Sequence, residues 1–173
     1  MNKRIGQKRA QLYLREYPRL LRQIYKLVEL VREQDPNVAL LALFGSTARL
    51  EPHAYSDSDL LLLLHDPSVI YQIGQTAKVV QLIGEAQRAP YDEWCDWPFS
   101  GVEGDAEGGG IDSEFLENIG AHGVLLYQQE GVALPPALKG LLPFDVWLER
   151  VQALLADCER VIAHKSLSSH VPA

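Results

Sequence analysis

The sequence predicts an α/β (α+β) fold in which a sheet of about four strands is flanked by helices. Two kinds of segment predict it. Short, almost wholly apolar runs, such as residues 39–44 and 60–64, are typical of strands that are buried on both faces. Longer segments near both ends of the chain repeat their apolar residues at helical spacing. The length of 173 residues suits one domain with its own hydrophobic core.

The first long segment, residues 7–33, predicts a helix. Apolar residues recur there at helical spacing, from Tyr17 through Ile24 to Val31. Pro18 lacks a backbone N–H and disfavours helical geometry in the residue before it. We therefore expect a kink or a break at this proline, and in the second case two helices. Asp35, Pro36 and Asn37 then predict a turn.

Four segments predict strands, and they are residues 38–44, 57–65, 90–97 and 123–127. Gly45 ends the first of them, and Ser46 is expected near the N-cap of a short helix. Residues 98–112 are rich in glycine and acidic side chains, which predicts a flexible loop.

Further helices are predicted over residues 69–87 and 144–164. Asp112 or Ser113 is expected to cap a short helix that ends at Ile119. We divide the chain into an N-terminal helical segment, a core, and a linker with a C-terminal helix, which together form a single structural domain. These parts are residues 1–36, 37–130 and 131–173.

Charge is unevenly distributed along the chain, whose net charge is −7. Residues 1–34 contain nine Lys or Arg and three Glu, a balance of +6, so the rest of the chain sums to −13. This asymmetry indicates either a surface for nucleic acid or a protein partner, or a solvated helix face. No apolar run reaches the roughly 18–20 residues of a membrane span. Cys95 and Cys158 predict neither a disulfide framework nor a zinc site, and we expect a cytoplasmic protein.

The chemistry is concentrated in residues 45–59. Asp57 and Asp59 are two residues apart at the start of a strand, so they point to one face with Cα atoms about 6.5–7 Å apart. Such a pair suits Mg²⁺, which takes few protein oxygens together with substrate phosphates. Gly45 permits close backbone approach, and the N–H groups at Ser46 and Thr47 suit a phosphate. The stretch therefore predicts a metal–nucleotide site.

A second metal ion and a proton acceptor call for a third carboxylate. The predicted strand over residues 90–97 offers Asp92 and Asp96 on one face and Glu93 on the other. We prefer Asp92, because it lies early in the strand, whereas Asp96 lies beside the break at Pro98.

These residues carry a family resemblance. Gly45-Ser46, ten residues, and then Asp57-Ser58-Asp59 resembles the signature of the polymerase-beta nucleotidyltransferase superfamily, in its minimal, single-domain (MNT) type. Four further positions match the fuller signature, and Leu50 replaces its usual glycine; the four are Ala48, Arg49, Ser56 and Leu60. The resemblance covers about residues 38–127. It implies a mixed sheet with added N- and C-terminal helices.

The resemblance also implies an activity. A nucleoside monophosphate would pass from an NTP, with ATP the expected donor, to an acceptor hydroxyl, and pyrophosphate would leave. Two Mg²⁺ ions, or Mn²⁺, would be bound by Asp57, Asp59 and Asp92, which would also be the catalytic residues. The nucleotide would be held by Gly45, Ser46, Thr47 and Arg49, although a surface salt bridge is an equally good role for Arg49.

Several alternatives stay open at this point. The acceptor is a protein, a small molecule or an RNA end, and the chain is a monomer or a homo-oligomer. A function of another class is an antitoxin-like interaction module that pairs with a helical HEPN-type partner, with weak or no catalysis. His53 contacts an acceptor or is an ordinary loop residue. Trp94, Trp97 and Phe99 stack a base or pack in the core, and packing is preferred.

Overall fold

The structure is a computed structural model that describes residues 5–68, 76–88 and 95–168. It contains helices α1 (Gln7–Gln34), α2 (Gly45–Ala48), α3 (Thr76–Arg88), α4 (Ser113–His122) and α5 (Phe144–Ser168). The strands are β1 (Val38–Phe44), β2 (Ser58–Leu64), β3 (Phe99–Asp105), β4 (Val124–Gln128) and β5 (Leu142–Pro143). A 3-10 turn, Pro136–Leu138, precedes β5.

The five strands form one mixed sheet in the order β3-β2-β1-β4-β5. The central strand β1 is antiparallel to both β2 and β4, whereas β3 is parallel to β2 and β5 is parallel to β4. The predicted α/β fold with a mixed sheet and flanking helices is therefore confirmed.

Both faces of the sheet are covered, which explains the uninterrupted run of leucines in β2. Leu60, Leu62 and Leu64 pack in the core that includes residues of α1, α3 and α5. Leu61 and Leu63 pack on the other face, with α4 and the 3-10 turn. Because neighbouring side chains of a strand point to opposite faces, a strand buried on both sides needs apolar residues throughout.

Helix α1 is a single helix of 28 residues, with Pro18 inside it. The expected break at this position is wrong. A proline in a helix interior costs about 3 kcal/mol. Here the side chains on either side of it are fully buried, with Tyr17 and Leu20 both at 0% exposure. Packing of this stripe against the sheet and α5 keeps the helix continuous.

The most important correction concerns residues 98–112, which we expected to form a flexible loop. Residues 99–105 instead form strand β3, paired with β2 from Ser58 and Phe99 to Leu64 and Asp105. Of the strand predicted over residues 90–97, residues 95–97 are not in a strand, and residues 90–94 lie outside the described part. The composition of β3 is typical of a loop, and its strand conformation comes from pairing along the whole edge of β2.

The other predicted elements are largely confirmed. Strands β1, β2 and β4 and helices α4 and α5 lie where the patterns indicate, and Asp112 caps α4 by accepting a hydrogen bond from the Phe115 N–H at 3.0 Å. The N-cap of α2 is Phe44, so Ser46 lies one position inside this helix. Residues 69–75 of the helix predicted before β3 lie outside the described residues, and β5 was not predicted. Within the described chain, no helix is long and apolar enough to cross a membrane.

Candidate functional site

The predicted phosphate turn and the predicted metal-binding carboxylates lie at one end of the sheet, where β1 ends and β2 begins. The last residue of β1, Phe44, is paired with Asp59 of β2. Gly45 has a φ of +73°, in the left-handed region that favours glycine. A Cβ at this position would overlap Oδ2 of Asp59. Glycine is therefore required both by the backbone conformation and by the carboxylate that lies against it.

Residues 45–57, which we call the site loop, are fixed internally by their own hydroxyl groups. Ser46 Oγ donates to Ser56 Oγ at 3.2 Å, and Ser56 Oγ in turn accepts from the His53 N–H at 2.8 Å. Thr47 is fully buried, and its hydroxyl donates to the carbonyl of Asp57 at 3.1 Å. The side chain of Thr47 thus holds Asp57 in place, which leaves only its backbone N–H to serve the predicted nucleotide role.

The two carboxylates differ in their surroundings. Asp57 is exposed, whereas Asp59 is half-buried. Asp59 Oδ1 accepts a hydrogen bond from Ser100 Oγ at 3.0 Å, because the register of β2 and β3 places these two residues side by side. Ser100 therefore belongs to the site, although the sequence analysis had assigned it to a flexible loop. If residues 99–105 had been predicted as a strand next to β2, Ser100 would have been identified as a neighbour of Asp59.

A third carboxylate is not brought to this pair within the described residues. Asp92, the preferred candidate, lies outside them. Asp96 is turned toward α1, where its carboxylate pairs with Arg15 at 2.8 Å and its backbone N–H donates to Glu16 Oε2 at 3.0 Å. In the part of the chain that the structure describes, no group of three or more His, Cys, Asp or Glu side chains is arranged to hold a metal ion.

The end of α2 shows how the chain accommodates its departure from the family signature. Leu50 has a φ of +61°, so it adopts the left-handed conformation that the usual glycine favours. The backbone path of the signature is therefore kept without the glycine. Arg49, which precedes it, is exposed and lines a cavity that is bounded by neither Gly45 nor the two aspartates.

Four buried aromatic side chains attach the site loop to the core, each by one hydrogen bond to a backbone carbonyl of the loop. We call them the aromatic cluster. The bonds run from Tyr17 Oη to Thr47 O (3.2 Å), from Trp147 Nε1 to Ala48 O (2.9 Å), from Tyr13 Oη to Pro52 O (3.2 Å) and from Trp97 Nε1 to His53 O (3.1 Å). The four attachments fall on two pairs of neighbouring residues, 47–48 and 52–53, and define the course of the loop.

The aromatic cluster is itself packed edge to face. The ring of Tyr17 lies 5.0 Å from that of Trp97, 5.5 Å from that of Tyr13 and 6.4 Å from that of Trp147, in each case steeply inclined. Burial raises the pKa of both tyrosines above the ordinary value of 10.0. Their hydroxyls therefore stay protonated at neutral pH and serve as hydrogen-bond donors.

A buried carboxylate fixes the segment that follows residue 94. Glu16 of α1 is fully buried, pairs with Arg15 and lies 3.6 Å from Arg19 Nη1. Burial alone would raise the pKa of Glu16, but hydrogen bonds from Arg15 and from the Asp96 N–H outweigh it, so the pKa is lowered. Glu16 thus remains ionised and holds the chain just before Trp97, which reaches the site loop.

The remaining predicted residues are placed as follows. Trp97 is fully buried and Phe99 is half-buried in the core, so both pack, and Trp94 lies outside the described residues. His53 is exposed, and its Nδ1 accepts from the Tyr55 N–H at 3.2 Å. Sequence patterns placed Tyr17 and Trp147 on buried helix faces, but their bonds to the site loop depend on the tertiary fold and left no local signal.

The fold and the site define an α/β domain in which two carboxylates lie beside a glycine-containing turn. Residues 24–107 match the family model of the nucleotidyltransferase domain. The match covers 84 of the 173 residues, so just under half of this chain is similar to that domain. No curated protein matches it.

The solved structures that are similar to this chain include three at 14–17% sequence identity. A toxin–antitoxin crystal structure with AMP-PNP is 14% identical, with 84% of this chain and 90% of that chain covered and a TM-score of 0.43. A mutant of the toxin–antitoxin MntA–HpeT is 17% identical, with 83% and 98% covered and a TM-score of 0.44. A tri-AMPylated Shewanella oneidensis HEPN toxin in complex with MNT antitoxin is 17% identical, with 86% and 98% covered and a TM-score of 0.41.

Proposed function

We propose that this protein transfers a nucleoside monophosphate from an NTP, with ATP the expected donor, to an acceptor hydroxyl and releases pyrophosphate. One observation carries the proposal. The pairing of Phe44 with Asp59 sets the Asp59 carboxylate against Gly45, at the start of the phosphate turn, and the Thr47 hydroxyl holds the Asp57 backbone beside the same turn. A nucleotide phosphate bound at Ser46 would lie beside both carboxylates, which is the arrangement that metal-assisted phosphoryl transfer requires.

The residues present fit a Mg²⁺ ion. Asp57 and Asp59 offer carboxylate oxygens, and Asp59 is oriented by the hydroxyl of Ser100. Mg²⁺ is usually held by one or two carboxylates together with substrate phosphates and water, so a third protein carboxylate is not needed for one ion. Asp92 is proposed to complete a second ion site and to accept a proton. When bound, the metal would neutralise charge on the phosphates and polarise the phosphorus.

Each part of the site loop has a task in this reaction. The Ser46 hydroxyl and the first N–H groups of α2 would bind and orient the phosphates, while Gly45 leaves room for them. Thr47 keeps Asp57 in position by its hydrogen bond to the Asp57 carbonyl. The acceptor oxygen would form a bond to the α-phosphorus while the bond between that phosphorus and the pyrophosphate breaks, and the acceptor proton would pass to a carboxylate or to water.

The experiment uses the full chain with Mg²⁺ or Mn²⁺ and each α-labelled NTP, with and without cell lysate as a source of acceptor. We expect label transfer and pyrophosphate release with at least one NTP. Asp57→Asn and Asp59→Asn should each lower the rate about a hundredfold or more, whereas Asp145→Asn, at an exposed position of α5, should leave it unchanged. If the wild type transfers no label and Asp57→Asn binds ATP as well as wild type does, the proposal is wrong.

The family resemblance allows a second function, in which the chain is an antitoxin-like module that pairs with a HEPN-type helical protein. The same assay separates the two functions. A module that only binds would retain affinity for Mg²⁺ and ATP but release no pyrophosphate in the presence of the partner. A module that acts catalytically would label the partner protein, and that label would be lost in Asp57→Asn.

A further inference from the structure

On the β4 side of α2, away from Asp57 and Asp59, lies a cavity of about 430 Å³. It is lined by two arginines and a histidine from three elements: Arg49 at the end of α2, His122 at the end of α4, and Arg150 in α5. Leu50 and Leu142 form part of its wall. A volume in the range of roughly 300–1,000 Å³ is typical of sites for small ligands.

Both arginines lack a protein partner in the described part of the chain. Among the described residues, the side chains of Arg49 and Arg150 form neither an ion pair nor a hydrogen bond. Glu51 also lines the cavity, so its walls carry two arginines against one carboxylate, in a chain with a net charge of −7. Unpaired arginines that converge on one cavity are the usual arrangement for binding phosphate or carboxylate groups, because the guanidinium fork donates two hydrogen bonds at once.

Helix ends alone do not explain this grouping. Arg49 and His122 lie at the C-terminal ends of α2 and α4, where the helix dipole favours a positive charge. Arg150, however, is the seventh residue of the 25-residue helix α5, near its N-terminal end, where the dipole gives a cation no advantage. The helix dipole therefore does not account for Arg150 at the cavity, whereas binding of an anionic ligand would.

The cavity adjoins the site through α2. At the end of β1, Phe44 pairs with Asp59 of β2 on one side, and Leu43 pairs with Val124, the first residue of β4, on the other. Helix α2 follows directly and has four residues, so it spans about 6 Å. The Glu51 N–H on the cavity wall donates to the Ser46 carbonyl at 2.9 Å. The cavity and the predicted phosphate turn thus share one short helix.

We propose that this cavity binds a phosphate-bearing anion between Arg49 and Arg150, with His122 as a third donor. Binding of the anion does not depend on the proposed function. Only the identity of the molecule that supplies the phosphate rests on it. One source is the pyrophosphate end of the NTP, which would extend from Ser46 along α2 into the cavity. The other is a phosphate group of a second ligand, either the acceptor or an effector, bound beside the NTP.

The test uses inorganic pyrophosphate as the probe, with the full chain in EDTA, so that the metal-binding carboxylates take no part. Isothermal titration calorimetry should show binding that weakens as salt is added. Arg49→Gln and Arg150→Gln should each raise the dissociation constant about tenfold or more. The matched control is Arg160→Gln in the same helix, which changes the same charge outside the cavity and should stay within about twofold. Absence of pyrophosphate binding by the wild type, or equal binding by Arg150→Gln and Arg160→Gln, would overturn the proposal.

Competition then identifies the source of the phosphate. If the NTP supplies it, pyrophosphate displaces ATP, and Arg150→Gln weakens both to a similar degree. If a second ligand supplies it, ATP and pyrophosphate bind together, and Arg150→Gln weakens only pyrophosphate. Asp57→Asn separates this inference from the proposed function, because it should abolish transfer while leaving pyrophosphate binding in EDTA unchanged.

Discussion

The site loop has two sides that are built on different principles. Its outer side carries Ser46 and Asp57, small polar residues that are partly or fully open to solvent and that form their hydrogen bonds within the loop, Ser46 to Ser56 and Asp57 to Thr47. Its inner side contributes four backbone carbonyls, and each of them accepts a hydrogen bond from a fully or almost fully buried aromatic residue. The comparison shows that residues needed for chemistry can be small and polar. The backbone conformation of the loop is fixed by large buried side chains on its inner side.

The largest effect is expected on the inner side, at Trp97. Trp97→Ala removes a fully buried ring and the donor to His53 O, and it should lower the free energy of unfolding by about 4 kcal/mol. Tyr55 provides the control, because it lies on the site loop to which Trp97 is bonded and is 92% exposed. Urea unfolding should show that Tyr55→Ala changes stability by less than about 0.5 kcal/mol. Similar losses in both variants would contradict the division into two sides.

A second effect on the inner side is expected at Glu16, which holds the segment before Trp97. At neutral pH, Glu16→Gln should cost about 2 kcal/mol, since it weakens charged hydrogen bonds to Arg15 and to the Asp96 N–H. The folded-state pKa of Glu16 lies below its ordinary value of 4.5. Its contribution is therefore present above about pH 4.5 and is lost as the pH falls through the lowered folded-state value.

Urea titrations from pH 7 to pH 3 check this prediction. The difference in stability between wild type and Glu16→Gln should narrow below pH 4.5. Glu29→Gln on the same helix is the control, because Glu29 is exposed and pairs only with Lys26 among the described residues. A gap that stays constant with pH would mean that the charge of Glu16 does not hold this segment.

The two sides of the loop also differ in how far they could be predicted from the sequence. On the outer side, the sequence pattern singled out Gly45, Ser46, Asp57 and Asp59, because they stand at fixed spacing between two apolar runs. It missed the contact of Ser100 with Asp59, because a strand rich in glycine and acidic residues, such as β3, is identified only by its pairing with β2. On the inner side, Tyr17 and Trp147 were predicted on buried helix faces and Trp97 was predicted to pack in the core. The hydrogen bonds to the loop were not predicted, since the one from Trp147 to Ala48, for example, joins residues 99 positions apart.

A smaller effect on the inner side tests one attachment without removing its ring. Tyr17→Phe deletes only the hydroxyl that donates to Thr47 O, and it should lower the free energy of unfolding by about 1 kcal/mol. Tyr25→Phe on the same helix should be neutral, because Tyr25 is 53% exposed. Thermal unfolding measures both. Because Thr47 holds Asp57, we also expect the affinity of Tyr17→Phe for Mg²⁺ and ATP to fall, in protein that is still fully folded. Unchanged affinity would show that this attachment serves stability alone.

The smallest effect on stability is expected at the carboxylates, where Ser100→Ala removes the hydroxyl that orients Asp59. Ser100 is exposed on the edge strand β3, so the free energy of unfolding should change by less than about 0.5 kcal/mol. Groups that orient a metal ligand typically contribute about tenfold or more to metal affinity, so Mn²⁺ binding should weaken by about that factor. The exposed Ser113 supplies the control, because Ser113→Ala changes the same atoms at a distance from the site.

Ser100→Asp changes the same position in the opposite direction. It would place a second carboxylate beside Asp59, where the described chain now has a hydroxyl. Without metal, the two like charges should lower stability by about 1 kcal/mol, and Mn²⁺ should bind more tightly and restore it. Titration calorimetry and thermal unfolding with and without Mn²⁺ measure the two effects. If Ser100→Asp binds Mn²⁺ no better than wild type, the metal does not lie next to residue 100. It would then be bound nearer to Asp57 and Ser46.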